Sequence, residues 1–338
     1  MAALSKRIEY LDYIKAFAIF MVIVGHSIQF LSTCDELNTV YCFIYSFHMP
    51  LFMTLSGFFI AKSFDNGIKY FLTTRSRQLL LPVLSFSIVV FLIHWLTPLD
   101  MTMGLDFFAY IFGGDMWFLK YLFACSLMAF IAKMIFRKTY LAAIIPTVLL
   151  ISLSRVGLFR LLPFLWLGYY IHKYEYLISK HMKWLLLISA TAFAFLLVFW
   201  KMEYDAPLYR IVTFKHGVTI SFHAFCVVVY RFLIGAFGSF FFICLFKMMC
   251  DKNIQTKFPT LSRYLMNAGK RTLGIYCLQI YLLEHAAILL NLPPVTNHYI
   301  NILFVLGVAV LEFIVCNMLV GLLEKQRFLR LLFLGQKK

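Results

Sequence analysis

Apolar stretches close to bilayer-crossing length recur from one end of the chain to the other, each closed by a short polar or charged segment. Windows and breakers place them near 10–32, 41–61, 79–97, 116–136, 139–154, 159–172, 183–200, 219–246, 272–290 and 299–323. A helix of about 20 residues crosses the hydrocarbon core, whereas a barrel strand needs about ten residues that alternate in polarity. These runs do not alternate. The pattern therefore predicts an all-α, polytopic membrane bundle of about ten transmembrane helices. The runs at 139–154 and 159–172 are short and hold Pro146 and Pro163, so tilted, broken or merged helices are the alternatives there. No repeat or linker divides the chain, and residues 1–338 read as a single transmembrane domain. The longest inner loop, about 247–271, is basic and too short to fold alone.

Composition agrees with a lipid solvent: 62% of residues are hydrophobic and 14% are charged, too little polar surface to coat a water-soluble globule of this size. Lys6 and Arg7 before the first run resemble the start of a signal peptide. Asp12 and Lys15 interrupt that run, however, and it continues to Leu31 without a small-residue cleavage pattern, which predicts a retained helix.

The net charge of +16 invites a nucleic-acid partner, but there is no soluble domain to present a basic groove, so none is expected. Orientation accounts for the charge better. Most of the 31 lysines and arginines fall in alternate loops, among them Lys62, Lys69, Arg75 and Arg77, while the loops after the first and third spans hold Asp35, Glu36, Asp100, Asp106 and Asp115. The positive-inside bias predicts both termini in the cytoplasm and a multi-pass plasma-membrane protein, in the inner membrane if the cell is bacterial. Eight cysteines are scattered without a CxxC pair, so neither a metal site nor a disulfide framework is expected; a Cys34–Cys42 bridge is the alternative kept.

Ionisable groups at bilayer depth are costly and mark sites or pairs. Lys15 and His26 are eleven residues apart on the first helix, which leaves an offset of about 20° and a rise of about 16 Å. They share a face at two depths, with Asp12 at i−3 as a partner for Lys15. Snorkelling of Lys15 and simple packing of His26 are the alternative readings. In the second helix His48 falls at a depth similar to His26, and Pro50 and Gly57 suit a shaped cavity or plain packing. Arg75 and Arg77 at the inner mouth suit phosphate groups, although the positive-inside rule also places cations there. Lys120 beside Trp117, Glu284 with His285, Arg231, and Glu312 with Asn317 are further intramembrane polar groups, and Arg231 with Glu312 reads as a structural pair.

The runs Tyr10-Leu11-Asp12-Tyr13-Ile14-Lys15, Val24-Gly25-His26-Ser27, Ser46-Phe47-His48-Met49-Pro50-Leu51-Phe52 and Leu55-Ser56-Gly57-Phe58 resemble the membrane acyltransferase 3 family, and most of all its fucose 4-O-acetylase-type branch. Arg75 and Arg77 before Leu80-Leu81-Pro82, Trp117-Phe118-Leu119 and Thr272-Leu273-Gly274-Ile275-Tyr276 extend the likeness, which is densest over about residues 7–125. That resemblance implies transfer of acyl groups, usually acetyl from acetyl-CoA, to hydroxyls of envelope or lipid-linked carbohydrates, with membrane lipid as the surroundings and no metal. It makes His26 the essential histidine. Lys15 stands where many members have arginine, which keeps the charge but loses the bidentate fork. Gln279 stands where many have a second histidine.

The residues then permit a scheme. His26 acts as base or transient acyl carrier, with His48 orienting it or binding the acceptor. Lys15, Arg75 and Arg77 hold the phosphates of acetyl-CoA. Trp117 faces the sugar, with helix packing as its alternative role, and Asp12 joins it on the substrate side. The competing class is a transporter or flippase for a glycan or lipid, for which intramembrane charges are ordinary; a scaffold without catalysis would leave the aligned Lys15 and His26 unexplained.

Overall fold

The computed structural model describes residues 9–31, 37–96, 116–136, 138–153, 160–205, 211–213, 218–251, 257–290 and 298–337. Helices α1 (Glu9–Leu31), α2 (Leu37–Phe58), α3 (Ala61–Asp65) and α4 (Gly67–Arg75) lead into a π-helical turn, Ser76–Leu80, and α5 (Leu81–Leu96). Next come α6 (Trp117–Ile135), α7 (Thr139–Leu153), α8 (Leu162–Lys173), α9 (Glu175–Lys180) and α10 (Met182–Val198). A two-residue hairpin, Val212–Thr213 with Thr219–Ile220, precedes α11 (Phe222–Asp251). The chain ends with α12 (Pro259–Lys270), α13 (Thr272–Leu290), α14 (His298–Lys325) and α15 (Arg327–Leu334).

Every apolar run read from the sequence contains a helix, so the all-α architecture stands. Among the described residues five helical stretches are long and apolar enough to cross a membrane: Glu9–Leu31, Gly67–Leu92, Trp117–Ile135, Phe222–Cys250 and Asn301–Lys325. Thr139–Ser152, Met182–Val198 and Thr272–Leu283 are shorter apolar helices.

Helix α1 is the axis of the bundle. It packs against α2, α11, α12, α13 and α14, and α2 packs in turn on α8 and α11. The α2–α8 crossing brings backbone against backbone. A Cβ on Gly57 would lie 1.9 Å from the Leu165 carbonyl oxygen, and one on Gly168 would lie 1.8 Å from that of Thr54. The sequence expectation that Gly57 allows close helix approach is met, and its counterpart is Gly168.

Three expectations need correction. The segment 247–271 is not only a loop, because α11 runs on to Asp251 and α12 forms with Ser262, Ala268 and Gly269 buried. Its many polar residues hide a helical periodicity that is completed only by docking on α1, where a Cβ on Gly269 would meet the Asp12 carbonyl oxygen at 1.9 Å. Arg231 and Glu312 do not pair: Arg231 is on α11, while both carboxylate oxygens of Glu312 on α14 lack a hydrogen-bond partner. Nor does Glu312 reach Asn317, since five residues turn a helix by about 500° and leave the two side chains about 140° apart. Asn317 instead accepts from Arg271, whose Nε donates to Glu324 Oε2 at 2.8 Å. Glu284, His285 and Cys34 carry side chains outside the described residues.

Candidate active site

Two cavities adjoin inside the bundle. The larger, about 1000 Å³, is lined by His26, His48 and Trp117 together with residues of α7, α8, α11 and α13. The smaller, about 190 Å³, is lined by Lys15, Arg75, Ser56 and Phe59 among others. Met49 of α2 and Tyr276 of α13 line both, so they form the partition. The shared face of α1 inferred from spacing therefore delivers His26 to one chamber and Lys15 to the next.

His26 is held by a residue that the sequence marks only by the absence of a second histidine. Its Nδ1–H donates to Gln279 Oε1 at 3.0 Å, and Gln279 is fully buried on α13. A carbonyl oxygen can only accept, so the bond fixes the proton on Nδ1 and leaves the Nε2 lone pair for chemistry. Gln279 lies one turn from Tyr276, and that spacing on one helix face was the available signal. Gln279→Leu, which removes the acceptor but keeps the bulk, is expected to lower turnover about tenfold with little change in donor KM, the worth of one neutral hydrogen bond at the reacting group; steady-state kinetics in detergent check this.

His48 joins the same cavity, and its Nδ1–H donates to the Ile44 carbonyl one turn earlier at 2.8 Å. Its ring meets that of Tyr45 edge-on at 4.6 Å. The similar depth read from the sequence is thus realised as a common wall. Trp117 opens α6 after Met116, whose φ of 33° is the single positive value for a non-glycine among the described residues. That left-handed residue sets the turn by which Trp117 enters the cavity wall while the Phe118 N–H donates to the Tyr276 hydroxyl at 3.3 Å.

In the smaller cavity the Lys15 ammonium stands over the Phe59 ring at 4.7 Å, and Arg75 Nη2 donates to Ser63 Oγ at 3.2 Å. Arg77 does not join them. Its Nε donates to the Gly335 carbonyl at 3.3 Å and ties the C-terminal turn to the π-helical segment. Two residues along a helix differ by about 200°, so Arg75 and Arg77 face opposite ways and never make one phosphate site. Asp12 lines neither cavity and is buried where its main chain meets Gly269, which removes it from the substrate side.

A chamber holding two histidines and an aromatic wall, adjoining a cationic chamber across Met49 and Tyr276, suits two substrates bound on different sides. Residues 8–320 match the family described as an acyltransferase domain. Two relatives share part of the chain. The nodulation protein NolL of Mesorhizobium japonicum is 36% identical over 88 residues, 23% of this chain and 22% of the relative. That of Sinorhizobium fredii is 31% identical over 175 residues, 47% of each. The chain thus spans about a fifth to about half of the length of these relatives. No solved structure matches it significantly.

Proposed function

The chain belongs to this acyltransferase family and is a membrane-embedded enzyme, and from that premise we propose that it moves an acetyl group from cytoplasmic acetyl-CoA to a hydroxyl of a carbohydrate of the cell envelope or a lipid-linked glycan. The observation that carries this reading is the placement of Lys15 and His26, on one helix, in two adjoining cavities. The proposal includes about ten crossings of the plasma membrane by a single domain, which rests on the apolar runs, with both termini in the cytoplasm, which rests on the loop charges.

In this scheme the acceptor hydroxyl gives its proton to His26 Nε2 as its oxygen attacks the thioester carbonyl. The C–S bond then breaks, and the CoA sulfur leaves with the proton held on the imidazole. A positioned base of this kind contributes about 10²- to 10⁴-fold. His48 orients the acceptor or His26 itself. The alternative route, with the acetyl group resting on Nε2, predicts acetylated protein when donor is supplied without acceptor.

The smaller cavity, at about 190 Å³, is below the roughly 300 Å³ of a drug-sized site, so it takes the pantetheine arm and leaves the nucleotide at the mouth. Lys15 and Arg75 supply the charge there. Arg75→Gln is expected to raise the KM for acetyl-CoA by roughly tenfold to a hundredfold, the worth of a charge-assisted hydrogen bond, whereas Arg77→Gln leaves it within about twofold. Initial rates at varied acetyl-CoA separate the two. The function itself is tested by supplying radioactive acetyl-CoA to membranes that hold the protein. Acetate incorporated into a glycan fraction is expected, and membranes that neither consume the donor nor label a glycan would overturn the reading.

A further inference from the structure

The smaller cavity is walled on one side by the stretch that carries Arg75 and Leu79, and on another by Thr272, Leu273 and Tyr276 of α13. Helix α15 backs both walls. A Cβ on Gly274 of α13 would meet Cδ2 of the buried Leu334 at 2.7 Å, and Phe333 meets Phe86 of α5 edge-on at 5.0 Å. Gly335 then closes α15 in the left-handed conformation, φ 63°, with its N–H donating to the Leu331 carbonyl at 3.0 Å. Its main chain lies directly on the π-helical segment: a Cβ there would overlap the Arg77 carbonyl oxygen and reach Gln78 Cα at 2.7 Å. Only glycine meets both conditions, the sign of φ and the absence of space for a side chain.

The segment under Gly335 is where the helix changes register. The Leu81 N–H donates to the Ser76 carbonyl five residues back, and Pro82 has no N–H to return to Gln78. One extra residue in a turn rotates the helix before it by about 100° against the helix after it, so this turn decides which way Arg75 faces. A π turn gives up the tighter α geometry and persists where its surroundings hold it. The Arg77 hydrogen bond to Gly335, at 3.3 Å, is one long bond beside these main-chain contacts. Its loss leaves the turn seated, in line with the small effect expected of Arg77→Gln.

We propose that Gly335 is a positioning residue of the donor site: seated by its main chain on the π-helical segment, it fixes the direction in which Arg75 enters the smaller cavity. The role deepens the donor-site reading given above and rests on it.

The rate of acetate labelling at varied radioactive acetyl-CoA, in membranes that hold equal amounts of the full-length protein, tests it. Gly335→Ala is expected to raise the KM for acetyl-CoA roughly tenfold while the maximal rate stays within about twofold. Gly335→Asn tolerates left-handed backbone but carries the same Cβ, so an equal rise is expected and assigns the effect to the contact with the π turn. In an Arg75→Gln background Gly335→Ala is expected to add less than about twofold, because the side chain it positions is gone. Phe328→Ala, on the exposed side of α15, is expected to keep the wild-type KM. Where the Gly335 variants accumulate poorly, Leu334→Ala loosens the same docking and is expected to raise the KM roughly threefold. A folded Gly335→Ala protein with the wild-type KM, a fall in maximal rate alone, or full multiplication of the two effects in the double variant would overturn the positioning role. Those outcomes leave the wild-type labelling intact, whereas wild-type membranes that do not consume acetyl-CoA remove the donor reading itself.

Discussion

Replacing His26 with alanine is expected to lower acetyl transfer by about 10²- to 10⁴-fold while the protein still inserts and folds. The second half of that expectation comes from the surroundings of the ring. His26 gives up one side-chain hydrogen bond, to Gln279, and an edge contact with Phe30 at 6.5 Å, neither of which holds two helices together by itself. The variant should therefore elute from size exclusion and unfold on heating much as the wild type does. A His26→Ala protein that is inserted normally and transfers acetyl at the wild-type rate would remove His26 from the mechanism, and with it the division of labour between the two chambers.

The largest loss of stability is expected at the α2–α8 crossing. Gly168→Val places a side chain where the Thr54 carbonyl oxygen already lies, at 1.8 Å from an ideal Cβ, and backbone cannot rotate aside as a side chain can. The helices must separate. Overpacking of this kind costs about 1–3 kcal/mol and more where the obstacle is main chain. Gly307→Ala on α14 is the control, since nothing lies within 4 Å of its added methyl group and alanine favours helix by about 1 kcal/mol. Thermal unfolding of the two variants in the same detergent should shift in opposite directions. A stable Gly168→Val protein would mean that the crossing is looser than its geometry.

What was legible in the sequence follows from which forces are local. Apolar length alone marks the ten helical runs, because crossing hydrocarbon demands continuous apolar helix whatever the neighbours do. The Lys15–His26 alignment was equally open to reading, since both lie on one rigid helix. What failed was the pairing of helices that lie far apart in the chain. Arg231 and Glu312 looked complementary in charge and depth, yet α14 packs on α1 while Arg231 lines the larger cavity. Arg75 and Arg77 are neighbours along the chain and are separated by the helix they sit on. The role of Gln279 was hidden for the opposite reason: 253 residues separate it from His26, and only the docking of α13 on α1 joins them. Arg160 and Arg231 lie in the half of the chain with few readable motifs, and their common cavity arises from the placement of α8 and α11.

The partition of Met49 and Tyr276 has a bearing beyond catalysis. A bilayer keeps its two sides apart with tens of ångströms of hydrocarbon, and in the proposed scheme the two side chains common to both cavities do that duty between donor and acceptor. Methionine is apolar and pliable, and Tyr276 is latched by its hydroxyl to the Phe118 N–H, so one member of the seal can yield while the other returns to a fixed position. The proposed reaction thereby carries a constraint that a soluble transferase never meets: an acyl group must pass where protons and ions must not.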